Sequence, residues 1–171
     1  MTSQDKNAPG TGGSIVVGVD GSDASVAALR WAVTEAAVTG QEVRAVTAWT
    51  YLSPLDPGSD DAHRAQMESR HDAQLNDLVR KVAQGHPGVA VRCVIVEDDP
   101  AGALLDASRG ADLLVLGSHG TGKLLRAFVG SVSTRCLNKA SCPVVIIPAH
   151  ATDRLKTGQV PADSGHAARP L

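Results

Sequence analysis

Aromatic residues are scarce in this chain. Two tryptophans, one tyrosine and one phenylalanine make up 2% of its 171 residues. Proteins that read RNA or single strands stack successive bases on aromatic rings, so this scarcity argues against that class. Basic charge is not in excess either. Lys+Arg 16 against Asp+Glu 18 leaves a net charge of −2, without the basic stripe of a nucleic-acid binder. The three cysteines, Cys93, Cys136 and Cys142, contain no CxxC pair. They form neither a disulfide framework nor a zinc-ligand pattern, and read as small buried hydrophobes in a reducing compartment. No run approaches 18 apolar residues, which leaves no transmembrane helix to expect. Met1 to Gly13 lacks the apolar stretch of a secretory signal. The expectation is a cytoplasmic protein with no membrane partner, no nucleic-acid partner and no metal site.

What is present is an ordinary globular composition, 43% hydrophobic and 20% charged, enough for one domain with a sizeable core. Residues 1–13 are polar and Gly-rich and read as a disordered arm. Residues 150–171 are polar without an apolar period and read as a disordered tail. Between them, 14–149 alternates strand and helix signals. SIVVGVD (Ser14–Asp20) is a continuous apolar run ending at an acid, as suits a strand buried on both faces. Ser22 caps a helix whose apolar phase runs from Val26 to Ala37 and stops at Gly40. EVRAVTAW (Glu42–Trp49) is the second strand. Asp60 and Asp61 open a second helix with Met67, His71, Leu75, Leu78 and Val82 on its buried face. Val89–Val96 is the third strand. Asp99-Pro100 starts a helix that Gly110 closes, and Asp112–Leu116 is the fourth strand. Ser131–Ala140 is a short helix, and VVII (Val144–Ile147) the fifth strand. Strands separated by helices require crossovers, hence an α/β fold: one open parallel sheet of five strands with helices on both faces.

In such a sheet ligands bind beyond the carboxyl ends of the strands. Asp20, Gly21 and Ser22 stand at that end of the first strand. After the fourth comes GSHGTGKLLRAFVGS, with Gly117, Gly120, Gly130 and Ser131 in G-2x-G-9x-G-S spacing. Glycines allow backbone N–H groups to converge on an anion, and the helix opened by Gly130-Ser131 offers its N-terminus to phosphate. Ser131 and Ser133 add hydroxyls. His119 and Lys123 are phosphate neighbours or plain solvated surface. The segment Gly117–Lys123 also has P-loop spacing, but Leu124 stands where the magnesium-binding hydroxyl belongs, so that match is taken as accidental. A dinucleotide fingerprint is missing after the first strand. A receiver domain would close its last strand with Lys, where Ile147-Pro148 stands.

The VGVDGS segment (Val17–Ser22), the glycine signature and the ending SCPVVIIP (Ser141–Pro148), in this order, resemble the universal stress protein family over about residues 14–148. The resemblance implies strand order 3-2-1-4-5, a homodimer and membership of the ATP-binding branch. It assigns Asp20 to the adenosine and the backbone near Ala48 to the adenine edge. Gly117, Gly120, Gly130, Ser131, Val132 and Ser133 would surround ribose and phosphates. Thr47 and Trp49 depart from the more usual His-Val-Val run there, so Trp49 is either part of an altered adenine pocket or a core residue.

The leading reading is an ATP-binding stress-response sensor or regulator with little turnover, with Mg²⁺ as a possible companion of the nucleotide. One alternative is a slow ATPase or self-phosphorylating protein using Ser131 or Ser133. Another is a dimeric interaction module, paired through the apolar fifth strand and holding a cyclic or structural nucleotide. The sequence leaves open which stress or partner is served.

Overall fold

A computed structural model of the chain describes residues 13–51, 61–118 and 130–148. The arm and the tail expected at the two ends lie outside these residues, apart from Gly13. The described elements are β1 (Ser14–Gly18), α1 (Asp23–Thr39), β2 (Glu42–Trp49), α2 (Asp61–Ala83), β3 (Val91–Glu97), α3 (Pro100–Ala107), β4 (Leu113–Gly117), α4 (Ser131–Lys139) and β5 (Val144–Ile147). All strand pairs are parallel, and the order is β3-β2-β1-β4-β5. The α/β architecture and the order expected from the resemblance are both present.

β1 lies at the centre, which explains its composition. Ile15, Val16 and Val17 are fully buried because both faces of the strand are covered. Ile15 and Val17 belong to the core beneath α1 and α2, whereas Val16 belongs to the core beneath α3 and α4. Each such side chain stabilises the fold by roughly 1.5–3 kcal/mol. α1 is rich in alanine, and Ala27, Ala28 and Ala32 are fully buried, so this helix sits close against the sheet. Ser22 caps it, its Oγ accepting from Ser25 N–H at 3.2 Å, and Gly40 closes it. Such a cap contributes about 1 kcal/mol.

Several boundaries differ from the periodicity reading: β4 runs Leu113–Gly117 rather than Asp112–Leu116, β3 extends to Glu97 and α4 stops at Lys139. β1 ends at Gly18 because Asp20 turns the chain, although Val19 N–H still reaches Val46 O at 2.8 Å. β3 starts at Val91 because a turn holds Val89 N–H to His86 O at 3.0 Å. α3 ends at Ala107, where Ser108 Oγ donates to Leu105 O at 2.9 Å, and Gly110 lies in the turn beyond.

Candidate functional site

The carboxyl ends of β1 and β4 lie side by side, since the two strands pair from Ile15↔Leu113 to Val17↔Val115. At the first end, Asp20 Oδ1 accepts from Ser22 N–H at 3.0 Å and from Ser22 Oγ at 2.6 Å. Gly21, with φ +81°, makes this turn without side-chain strain. Ser25, buried one turn into α1, accepts from Asp20 N–H at 3.3 Å and donates to Ser22 O at 2.9 Å. The exposed Asp20 carboxylate is therefore held at the mouth by its own turn.

At the second end, Ser118 O accepts from Gly130 N–H at 2.8 Å. The two ends of the glycine segment thus meet at one place. Ser133 Oγ donates to Gly117 O at 2.9 Å, and Thr134 N–H bonds Gly130 O at 2.8 Å. Ser133 is buried and gives its proton to the scaffold, while Ser131 is exposed. Gly117 has a packing role that its place in a ligand signature does not suggest. A Cβ there would lie 2.7 Å from the carbonyl carbon of Ala24 and 2.9 Å from the backbone nitrogen of Ser25. The glycine lets β4 approach the first turn of α1.

α4 also differs from its neighbours in how it begins. Ser22 caps α1 and Asp99 caps α3, the latter accepting from Gly102 N–H at 2.9 Å. α4 starts at Gly130 with no side-chain cap. Its first N–H groups carry the positive end of the helix dipole at the end of β4, where Ser133 Oγ bonds Gly117 O. The helix is further tied to α3, because Arg135 Nη1 donates to the same Asp99 carboxylate.

Of the residues expected at the site, Asp20, Gly117, Gly130, Ser131, Val132 and Ser133 converge on these two strand ends. Gly120, His119 and Lys123 lie outside the described residues. Ala48 sits one strand away. It lies one residue past Thr47, whose Oγ1 donates to Val19 O at 2.8 Å just beyond the last β1–β2 pair, Gly18↔Val46. Trp49 belongs to the other face of β2. It is buried, its ring 5.5 Å from that of His71 on α2 and edge-on to Tyr51 at 6.3 Å. It is a packing residue, and His71 is its boundary partner. Among the described residues no cluster of three or more His, Cys, Asp or Glu could hold a metal ion. None of the helices described is long and apolar enough to cross a membrane.

Residue-by-residue reading missed Ser25 and Arg135. A buried serine two residues into an alanine-rich helix is a usable signal. The Arg135–Asp99 pair spans 36 residues and leaves none.

Residues 13–148 match the profile described as the universal stress protein family. The universal stress protein Rv1996 of Mycobacterium tuberculosis is 35% identical over 135 residues, covering 77% of this chain and 43% of the relative. Rv2005c of the same organism is 36% identical over 132 residues, covering 77% and 44%. The chain thus spans less than half the length of these relatives. The solved universal stress protein UspA from Lactobacillus plantarum has a TM-score of 0.68 at 26% identity, covering 81% of this chain and 99% of that one. A universal stress protein in complex with cAMP shares the fold at TM-score 0.57 and 24% identity, covering 81% and 98%. So does one from Arabidopsis thaliana with AMP bound, at 0.58 and 19%, covering 82% and 94%.

Proposed function

Since the chain belongs to the universal stress protein family, we propose that it binds ATP at the carboxyl ends of β1 and β4 and acts as a nucleotide-dependent regulator with little turnover. The observation that carries this is the start of α4. A helix opened by glycine, without a side-chain cap, has its first turn fastened to β4 by Gly130 N–H and Ser133 Oγ. An anion placed there meets converging N–H groups and a favourable dipole. Phosphate oxygens belong at the N–H groups of Ser131 and Val132 and the Ser131 hydroxyl, with Gly130, Ser133 and Gly117 holding the frame. The adenosine belongs between Asp20 and the backbone at Ala48. Related folds whose titles name cAMP and AMP support an adenine nucleotide as the ligand class. Mg²⁺, where the nucleotide carries it, would find Asp20 as the nearby carboxylate.

Little turnover fits a site at which Asp20 is the one acid expected, with no second base named to orient a water. The regulatory role would be read out through a homodimer joined at β5, a four-residue apolar strand at the sheet edge. The cytoplasm, where ATP is plentiful, is the compartment that suits it.

The test is calorimetric titration of the full chain with ATP, ADP and cAMP, beside a Ser131→Glu variant. A carboxylate in the first turn of α4 suits the helix dipole but repels phosphate. The expected result is that ATP affinity falls at least about tenfold while thermal stability holds. ATP binding unaffected by Ser131→Glu, or no nucleotide binding at all, overturns the reading.

A further inference from the structure

Among the described residues β3 ends the sheet opposite β5. Its ladder to β2 is bracketed by Val43 N–H to Ala90 O at 2.9 Å and Asp98 N–H to Trp49 O at 3.0 Å. In a parallel pair the backbone groups of alternate residues turn toward the partner strand. Arg92, Val94 and Val96 therefore face β2. The N–H and C=O groups of Val91, Cys93, Ile95 and Glu97 face outward. An open rim of this kind is a template for another strand.

Beside the rim runs a groove of about 430 Å³ between α2 and β3. Ile95 lines it from the strand, and Ala65, Ser69, Glu68 and Asp72 line it from the helix. Arg64 is bound to Glu97 through two bonds of 2.6 and 2.7 Å and its charge also reaches Glu68, yet with Glu68, Asp72 and Glu97 around it the balance at the groove stays acidic. A strand added here would alternate its side chains. On the α2 side each would meet Ile95 and then Glu68 or Asp72, as suits a lysine or arginine, with an aliphatic stem and a cationic head. On the opposite side it would extend the half-buried apolar surface of Val94 and Val96. A second copy of this chain suits the rim poorly. Antiparallel pairing about a twofold axis would set the α2 acids against their own counterparts.

We propose that the β3 edge takes up an extended basic peptide as a sixth strand, with Glu68 and Asp72 selecting its charge and Ile95 its register. This surface lies at the far edge of the sheet from β5, and the proposal does not depend on nucleotide binding.

The test is an amide-resolved NMR titration of the isotope-labelled full chain with acetyl-Lys-Val-Lys-Val-Lys-Val-Lys-amide, and with its glutamate counterpart. The basic peptide is expected to shift the outward amides of Cys93, Ile95 and Glu97 and slow their hydrogen exchange, and to leave those of Val94 and Val96 unchanged. Combining Glu68→Gln with Asp72→Asn is expected to weaken binding by about fivefold or more. Ile95→Pro, which removes an outward N–H without touching the ladder to β2, is expected to abolish it. Should Ile95→Pro unfold the chain, the charge variant decides. Equal binding of both peptides overturns the proposal. So do shifts outside β3 and α2, absence of binding, or concentration-dependent protection of the rim without peptide, which would make a second copy the occupant.

Discussion

Ser133 Oγ donates to the carbonyl of Gly117 at 2.9 Å, tying the first turn of α4 to the last residue of β4. The bond is part-buried, so removing its donor takes away a hydrogen bond that water replaces only in part. Ser133→Ala should cost about 1–3 kcal/mol in urea denaturation. It should also weaken nucleotide binding, since α4 loses one of its fastenings. Unchanged stability would show that water replaces the hydroxyl.

Two glycines of the same signature should behave differently. Gly117→Ala places a Cβ against the backbone of Ala24 and Ser25 and should destabilise the fold by about 1–3 kcal/mol, read as a lowered melting temperature without any ligand. Gly130 has φ −61° and ψ 161°, a conformation open to any residue. Gly130→Ala should leave the melting temperature near that of the parent. A large loss of binding in it would then report on the ligand rather than on the fold.

Acid should loosen the α2–β3 junction. The bidentate hydrogen bond from Arg64 holds the Glu97 carboxyl below its ordinary value, with the coulombic attraction of Arg64 adding to it. A depressed folded value means that the pair's stabilisation is present above the unfolded carboxylate range, about pH 4.3, and is lost as pH falls through the folded value. Urea midpoints measured from pH 7 to pH 3 should fall less steeply for Glu97→Gln than for the parent. Identical slopes would remove Glu97 from the acid transition.

Cys136 and Cys93 should resist modification. Burial pushes Cys136 above the ordinary thiol range, and the side chain is fully covered. Burial likewise raises Cys93, which is half-buried, with a further push from Asp72. At pH 7 a disulfide reagent followed by mass mapping should leave Cys136 unlabelled until the chain unfolds, because only thiolate reacts. Cys136 labelled at the rate of a free thiol would mean that α4 opens readily.

The element order was legible in the sequence because it rests on local chemistry. Apolar runs such as SIVVG and VVII, short and set between helix signals, suit the strands of a parallel sheet. Ser22 and Asp99 mark helix starts by caps that act within three residues. The glycine signature at Gly117, Gly130 and Ser131 marks the end of β4 and the start of α4. Tertiary structure decided what each of these residues does. Gly117 is small because α1 passes against it, and Ser133 donates its proton to a backbone carbonyl. Trp49, adjacent in sequence to Ala48, packs on the opposite face of β2 against His71 of α2. Arg135 reaches an acid 36 positions earlier. These roles depend on which elements meet across the sheet, and hydrophobic periodicity records only that a face is buried, not what buries it.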